Sequence, residues 1–193
     1  MAKVLVIDAH PDRSDALGHA LARAYAESAR SAGAETRLIR LADLDVPLLR
    51  SAAEFAEPPS NPAILSARED IAWANHLVLV FPVWLGSAPA LLRGFLEQIG
   101  RAGFFAKVTE RGWSPALKGK SARLIATMAA PSLVYRLLFG AHGVKAIARS
   151  ILGFAGARPV RFTLFGAVAP RSDQSKRIES VRRLAQREAQ RES

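Results

Sequence analysis

Five consecutive apolar residues, Leu77-Val78-Leu79-Val80-Phe81, followed at once by Pro82-Val83-Trp84-Leu85-Gly86, constrain the fold more than any other stretch of the chain. A run that short and that apolar reads as a strand buried on both faces, as in a parallel sheet. Pro82 cannot donate to a sheet ladder, Gly86 admits backbone angles closed to most residues, and Ser87 ahead of Pro89 opens a helix with proline in its first turn. An apolar loop therefore leaves the carboxyl end of a buried strand, where open α/β sheets bind ligands. The large indole of Trp84 in that place calls for a flat partner.

The remaining segments alternate strand and helix at the spacing of βα units. Strands are expected at Lys3–Asp8, Glu35–Leu41, Leu77–Phe81, Ser121–Thr127 and Pro159–Gly166, and helices at Asp15–Ala32, Pro62–Asn75, Pro89–Ile99, Leu133–Leu152 and Ser172–Gln190. In the first helix Leu17, Leu21, Ala24, Tyr25 and Ala29 share a face, and Gly33 stops it. Pro47, Pro58 and Pro59 mark an irregular excursion over residues 42–61, and residues 100–119, with Phe104, Phe105 and Trp113, form a connection long enough to suggest a functional or packing role. The expected architecture is α/β, a five-stranded doubly wound parallel sheet with helices on both faces, making a single domain over residues 1–193.

The chain has no cysteine, which excludes disulfides, thiol catalysis and cysteine metal sites, and its 4 histidines are scattered, so no metal is expected. The N-terminus enters a strand directly rather than a secretory signal, and no apolar run approaches the roughly 20 residues of a membrane helix. A cytoplasmic location is expected. Residues 1–100 carry 9 basic and 12 acidic groups, residues 101–170 carry 11 and 1, and residues 171–193 carry 7 and 4. The middle segment favours anionic partners without choosing among them.

After the first strand, Asp8-Ala9-His10-Pro11-Asp12-Arg13-Ser14 leads into a helix N-terminus, whose free amides with His10, Arg13 and Ser14 suit a phosphate; an ordinary turn capped by Ser14 or Asp15 is the alternative. The dinucleotide fingerprint G-x-G-x-x-G is missing there. Lys118-Gly119-Lys120-Ser121 ends like a phosphate loop, but the earlier glycine would fall at Ser114 and the run enters a strand, so it reads as a surface turn. In the aromatic loop, the amides of Val83, Trp84 and Leu85 are expected to face the edge of a flat ring. The terminal arginines, Arg182, Arg183, Arg187 and Arg191, interleave with Glu179, Glu188 and Glu192 as a solvated helix face.

The series HPDRS after strand one, FPVWLGSAPALLRGF after strand three, Phe104-Phe105, Thr127 ending strand four, Tyr135, His142-Gly143 and LGFAGARPV before strand five resembles the flavodoxin-like NAD(P)H:quinone oxidoreductases over nearly the whole chain. The resemblance implies a noncovalent flavin, FMN with FAD as the alternative, NAD(P)H as electron donor, two-electron reduction of a quinone or similar acceptor, and a homodimer. It implies His10, Ser14, Ala16 and Leu17 around the flavin phosphate, Pro82, Val83, Trp84 and Leu85 along the isoalloxazine, and Thr127 near its polar edge. Tyr135 and His142 are implied beside the reacting centre as the catalytic pair. The rival reading is a flavodoxin-like regulatory subunit of a membrane transport system, peripherally docked and with little turnover. Nucleic-acid binding is suggested by charge alone and is not expected.

Overall fold

In the computed structural model, which describes residues 1–110, 112–169 and 174–192 with the side chains of Val108, Thr109 and Trp113 excepted, the apolar runs form the strands expected of them. The strands β1 (Lys3–Asp8), β2 (Glu35–Arg40), β3 (His76–Pro82), β6 (Ser121–Thr127) and β7 (Val160–Phe165) pair in parallel in the order β2-β1-β3-β6-β7. Every residue of β3 and β6 is buried, as two-faced burial requires, whereas the edge strands β2 and β7 are partly exposed.

Alternation along the strands sorts the core into two clusters. Leu5, Ile7, Leu77, Leu79, Phe81 and Leu124 face α3 (Pro62–Trp73), α4 (Ala90–Gly100) and the segment formed by α6 (His142–Lys145) and the π-helix that continues it (Ala146–Gly153). Val4, Val6, Val78, Val80 and Ile125 face α1 (Leu17–Ser31) and α7 (Ser175–Arg191), where Ala22, Ala26, Ala29, Ala185 and Ala189 let the helices pack closely. Smaller strand residues thus meet small helix residues on one face, and larger meet larger on the other.

The expected elements differ from the observed ones mostly by a residue or two at their ends. The excursion over residues 42–61 opens on a 3-10 turn (Leu41–Asp43) and contains a short α-helix, α2 (Ala52–Ala56), and the connection over residues 100–119 passes from a 3-10 turn (Arg101–Gly103) into an antiparallel hairpin of β4 (Ala106–Thr109) and β5 (Gly112–Pro115). The single helix expected over Leu133–Leu152 is broken after α5 (Ser132–Leu137), because Gly140 and Ala141 both take positive φ. The expected start of the terminal helix at Ser172 lies outside the described residues. Glu188 is not on a solvated face: Val181, Ala185, Glu188 and Ala189 form the buried stripe of α7, and the carboxylate is paired with Arg123. Among the described residues no helix is long and apolar enough to cross a membrane.

Candidate functional site

Strand order reverses direction between β1 and β3, so the connections leaving these two neighbours diverge to opposite faces and open a crevice at their carboxyl ends. A cleft of about 450 Å³ lies there, within the size range of ligand sites, lined by His10, Asp15, Ala16, Leu17 and Gly18 on one side and by Pro82, Val83, Trp84, Thr127 and Met128 on the other.

The α1 side presents donors. The helix begins after Ala16, which offers no side-chain cap, and no acidic residue stands in its first turn. The alternative of a cap by Ser14 or Asp15 is therefore not what is formed: the Ser14 N–H donates to Asp12 Oδ1 at 2.9 Å, which holds Ser14 outside the helix. The first α1 amide with an intrahelical acceptor is that of Ala20, which leaves Leu17, Gly18 and His19 N–H without partners among the described residues. His10 packs over this turn, where a Cβ at Gly18 would come within 3.2 Å of His10 Cδ2. Asp12 N–H donates to His10 Nδ1 at 3.2 Å, which puts the proton of the neutral ring on Nε2. Burial, and then the neighbouring His19, lower the His10 pKa below 6.5, against the opposing pull of Asp8 and Asp12, so the ring is neutral at pH 7.

The aromatic loop is a tight turn. Trp84 and Ser87 exchange backbone hydrogen bonds at 2.9 and 3.0 Å, and Leu85 and Gly86 between them take φ of 49° and 77°, the combination of a type I′ turn. The Val83 N–H donates to the Thr127 carbonyl at 2.7 Å. Of the three amides expected to face a ring edge, those of Val83 and Trp84 are therefore engaged within the chain, and that of Leu85 is left. Thr127 itself ends β6 in the cleft wall, and its hydroxyl has no partner among the described residues. The Trp84 indole is half exposed and meets the His10 ring edge-on, with centroids 6.0 Å apart.

Tyr135 and His142 do not line this cleft. The buried Tyr135 hydroxyl donates to the Gly86 carbonyl at 2.9 Å, so it holds the turn from behind. Its pKa is raised by burial, partly offset by the Val144 and Gly143 amides beside its oxygen. Gly143 packs directly on the turn: a Cβ there would lie 2.5 Å from Ser87 Cα and closer still to Gly86 O. The His142 side chain is exposed beside Gly140. Three basic residues of the middle segment, Lys145, Arg149 and Arg158, flank a separate groove between the π-helix and β7.

Two buried residues absent from the expected set lie behind the loop that lines the α1 side of the cleft. Asp8 Oδ2, at the end of β1, is hydrogen-bonded to His19 Nδ1 at 2.6 Å, and His19 Nε2–H donates to the Asp12 carbonyl at 2.8 Å. A histidine in the first turn of the helix that follows a strand ending in aspartate was the available signal.

A parallel sheet with helices on both faces and its cleft at the switch point defines a doubly wound α/β protein of the flavodoxin type, whose ligand approaches the first helix N-terminus. The sequence profile described as flavodoxin-like fold matches residues 2–188. The chain belongs to that family. It is 26% identical over 179 residues, 90% of this chain and 88% of the relative, to an uncharacterized NAD(P)H oxidoreductase of Haemophilus influenzae. It is 32% identical over 141 residues, 63% of this chain and 67% of the relative, to an FMN-dependent NADH:quinone oxidoreductase of Bacillus pumilus. The crystal structure of an FMN-dependent NADH-azoreductase of Bacillus anthracis in complex with FMN superposes with a TM-score of 0.74 at 20% identity, covering 99% of both chains.

Proposed function

We propose that this chain is an FMN-dependent NAD(P)H:quinone oxidoreductase acting as a homodimer. The observation that carries the reading is the cleft's polarity: unpartnered α1 amides at one end and an apolar wall ending in Trp84 at the other, which suit a ligand with an anionic tail and a flat ring. The names of the two relatives above support FMN as that ligand and a nicotinamide as donor. A cytoplasmic location goes with the reading, because its donor is a cytoplasmic coenzyme.

The residues present fit the group. Leu17, Gly18 and His19 amides with His10 Nε2–H would receive the phosphate, and Pro82, Val83, Trp84 and Met128 would wall the ring. Thr127 Oγ1 and the Leu85 amide are the donors left for its polar edge. Ser14, whose amide is bonded to Asp12, stands one step removed from the phosphate end. When bound, FMN supplies hydride acceptance from a nicotinamide and hydride donation to an acceptor. Tyr135 fixes the turn that carries Trp84, and the exposed His142 is the group we assign to proton supply at the acceptor oxygen. Exposed Leu85, Leu133, Leu137, Leu138 and Phe139, on the turn and on α5 and its exit, form apolar surface that a second copy would cover.

The test is direct. Purified protein should quench flavin fluorescence and oxidise NADH or NADPH with a soluble quinone. Flavin bound without turnover would favour the regulatory subunit, tighter FAD than FMN would change the cofactor, and no flavin binding at all would end the proposal. Trp84→Ala should weaken FMN binding by about tenfold. An unchanged affinity would remove the aromatic loop from the site.

A further inference from the structure

We infer that the buried Asp8–His19 pair is a positioning device for the phosphate end of the cleft, setting how strongly the site distinguishes a phosphorylated flavin from an unphosphorylated one. The inference rests on the phosphate reading of the α1 N-terminus given above.

Both side chains are buried, and neither lines the cleft. They act through the loop over residues 8–16. His19 is the third residue of α1, and its side chain turns back toward the helix N-terminus, the direction helical side chains favour. There its two ring nitrogens reach different parts of the loop: Nδ1 meets Asp8 Oδ2 at 2.6 Å, and Nε2–H donates to Asp12 O at 2.8 Å. The other Asp8 oxygen accepts the His10 N–H at 3.3 Å. Asp12 N–H then donates to His10 Nδ1, and the His10 ring stands edge-on to His19 with centroids 5.1 Å apart. The first turn of the helix, the loop and the ring over the free amides are thus tied to a single pair. The pair also matters electrostatically. A lone carboxylate beneath an anion site would repel the anion, and Asp8 is answered by its hydrogen bond to the His19 ring and by the Arg40 guanidinium, whose Nη2 lies 3.5 Å from His19 Nε2.

A residue needed only for folding would weaken all flavins alike, whereas a residue that positions the phosphate donors must act on the phosphate alone. Apoprotein titrated with FMN and with riboflavin, each followed by fluorescence quenching, separates the two. Several charge-assisted hydrogen bonds should give the wild type a preference for FMN of about 100-fold or more. In His19→Ala that preference should fall by about tenfold or more while riboflavin affinity changes by less than about threefold. His19→Gln, whose amide reaches the Nε2 position and donates to the Asp12 carbonyl but leaves Asp8 Oδ2 unanswered, should recover only part of the preference. If His19→Ala does not fold, Asp8→Asn decides by the same ratio. Variants that keep the wild-type ratio, or that lose FMN and riboflavin in parallel, overturn the positioning role and leave the phosphate site standing. A wild type that binds both flavins equally overturns the phosphate site and this inference together.

Discussion

Two histidine–carboxylate pairs are buried at opposite ends of the same sheet, and their surroundings differ. At the amino ends of the strands, His76 at the start of β3 faces Glu188 of α7, and every polar atom nearby is answered by another. Tyr25 Oη bonds both His76 Nε2 and Glu188 Oε2, Arg123 clasps the same carboxylate, and Ser121 links His76 to Glu192. At the carboxyl ends, Asp8 and His19 are just as buried, yet around them stand unmatched groups: three amides of α1, the Thr127 hydroxyl and the one orphaned buried side-chain nitrogen among the described residues, Arg40 Nε. A closed network holds a fold together. An open one, with donors left over at the mouth of a cleft, is built to be completed by a ligand.

The contrast can be broken most forcefully at the closed end. Glu188→Gln removes the charge that answers buried Arg123 and should cost about 3–5 kcal/mol, read from urea denaturation. Any folded protein that remains should bind FMN with its original affinity, because the site lies at the other end. Burial alone would raise the Glu188 pKa, but His76 and Arg123 outweigh it and hold the carboxyl at about 2, below the ordinary 4.5. A depressed carboxyl stabilises the fold above its unfolded pKa. That contribution is complete above pH 4.5 and is lost as pH falls toward 2. Wild-type stability should therefore fall across that window more steeply than that of Glu188→Gln, and equal slopes would show that the network is not the acid-sensitive element.

How much of this was legible in the sequence follows from what each feature depends on. The five strands were readable because burial on both faces writes itself as unbroken apolar runs, as in Leu77–Phe81. The cleft position was readable too, since Pro82 and Gly86 end that run at a strand's carboxyl end. The partners of polar groups were not. The sequence groups Glu188 with the exposed charges of α7 although it falls on the stripe of Val181 and Ala185, because a carboxylate on an apolar stripe is explained only by distant partners, among them Tyr25, His76 and Arg123, the last 65 residues away. In the same way His19 looked like one histidine among four until β1 set Asp8 beside it. The amides of Val83 and Trp84 looked available because the sequence does not show that Thr127 and Ser87 accept from them.

At the open end, smaller effects should be seen in binding more than in folding. Gly143→Ala places a methyl against Gly86 and Ser87 and should displace the Trp84 turn, costing about 1–3 kcal/mol of stability and weakening FMN more than a distant substitution of equal cost. If FMN affinity follows stability alone, the turn is not part of the site. Tyr135→Phe removes one hydrogen bond to the turn and should cost about 1 kcal/mol, with turnover reduced in proportion to the FMN lost. A large fall in kcat at saturating FMN would instead mean that the hydroxyl leaves Gly86 to act on the acceptor.

The smallest expected effect has the opposite sign. Leu85 holds a φ of 49° and is fully exposed, although the first position of a type I′ turn favours asparagine or glycine. A branched side chain kept in the left-handed region costs about 1–2 kcal/mol, so Leu85→Asn should stabilise the monomer by about 1 kcal/mol in denaturant. Strain retained at a cleft is informative when something else depends on the strained residue. If Leu85 meets a second copy of the chain, the same substitution should shift the monomer–dimer equilibrium toward monomer in sedimentation experiments while the subunit itself becomes harder to unfold. A variant that is more stable and dimerises unchanged would separate the strained turn from the proposed interface, leaving α5 and Phe139 as the surface a partner copy would have to cover.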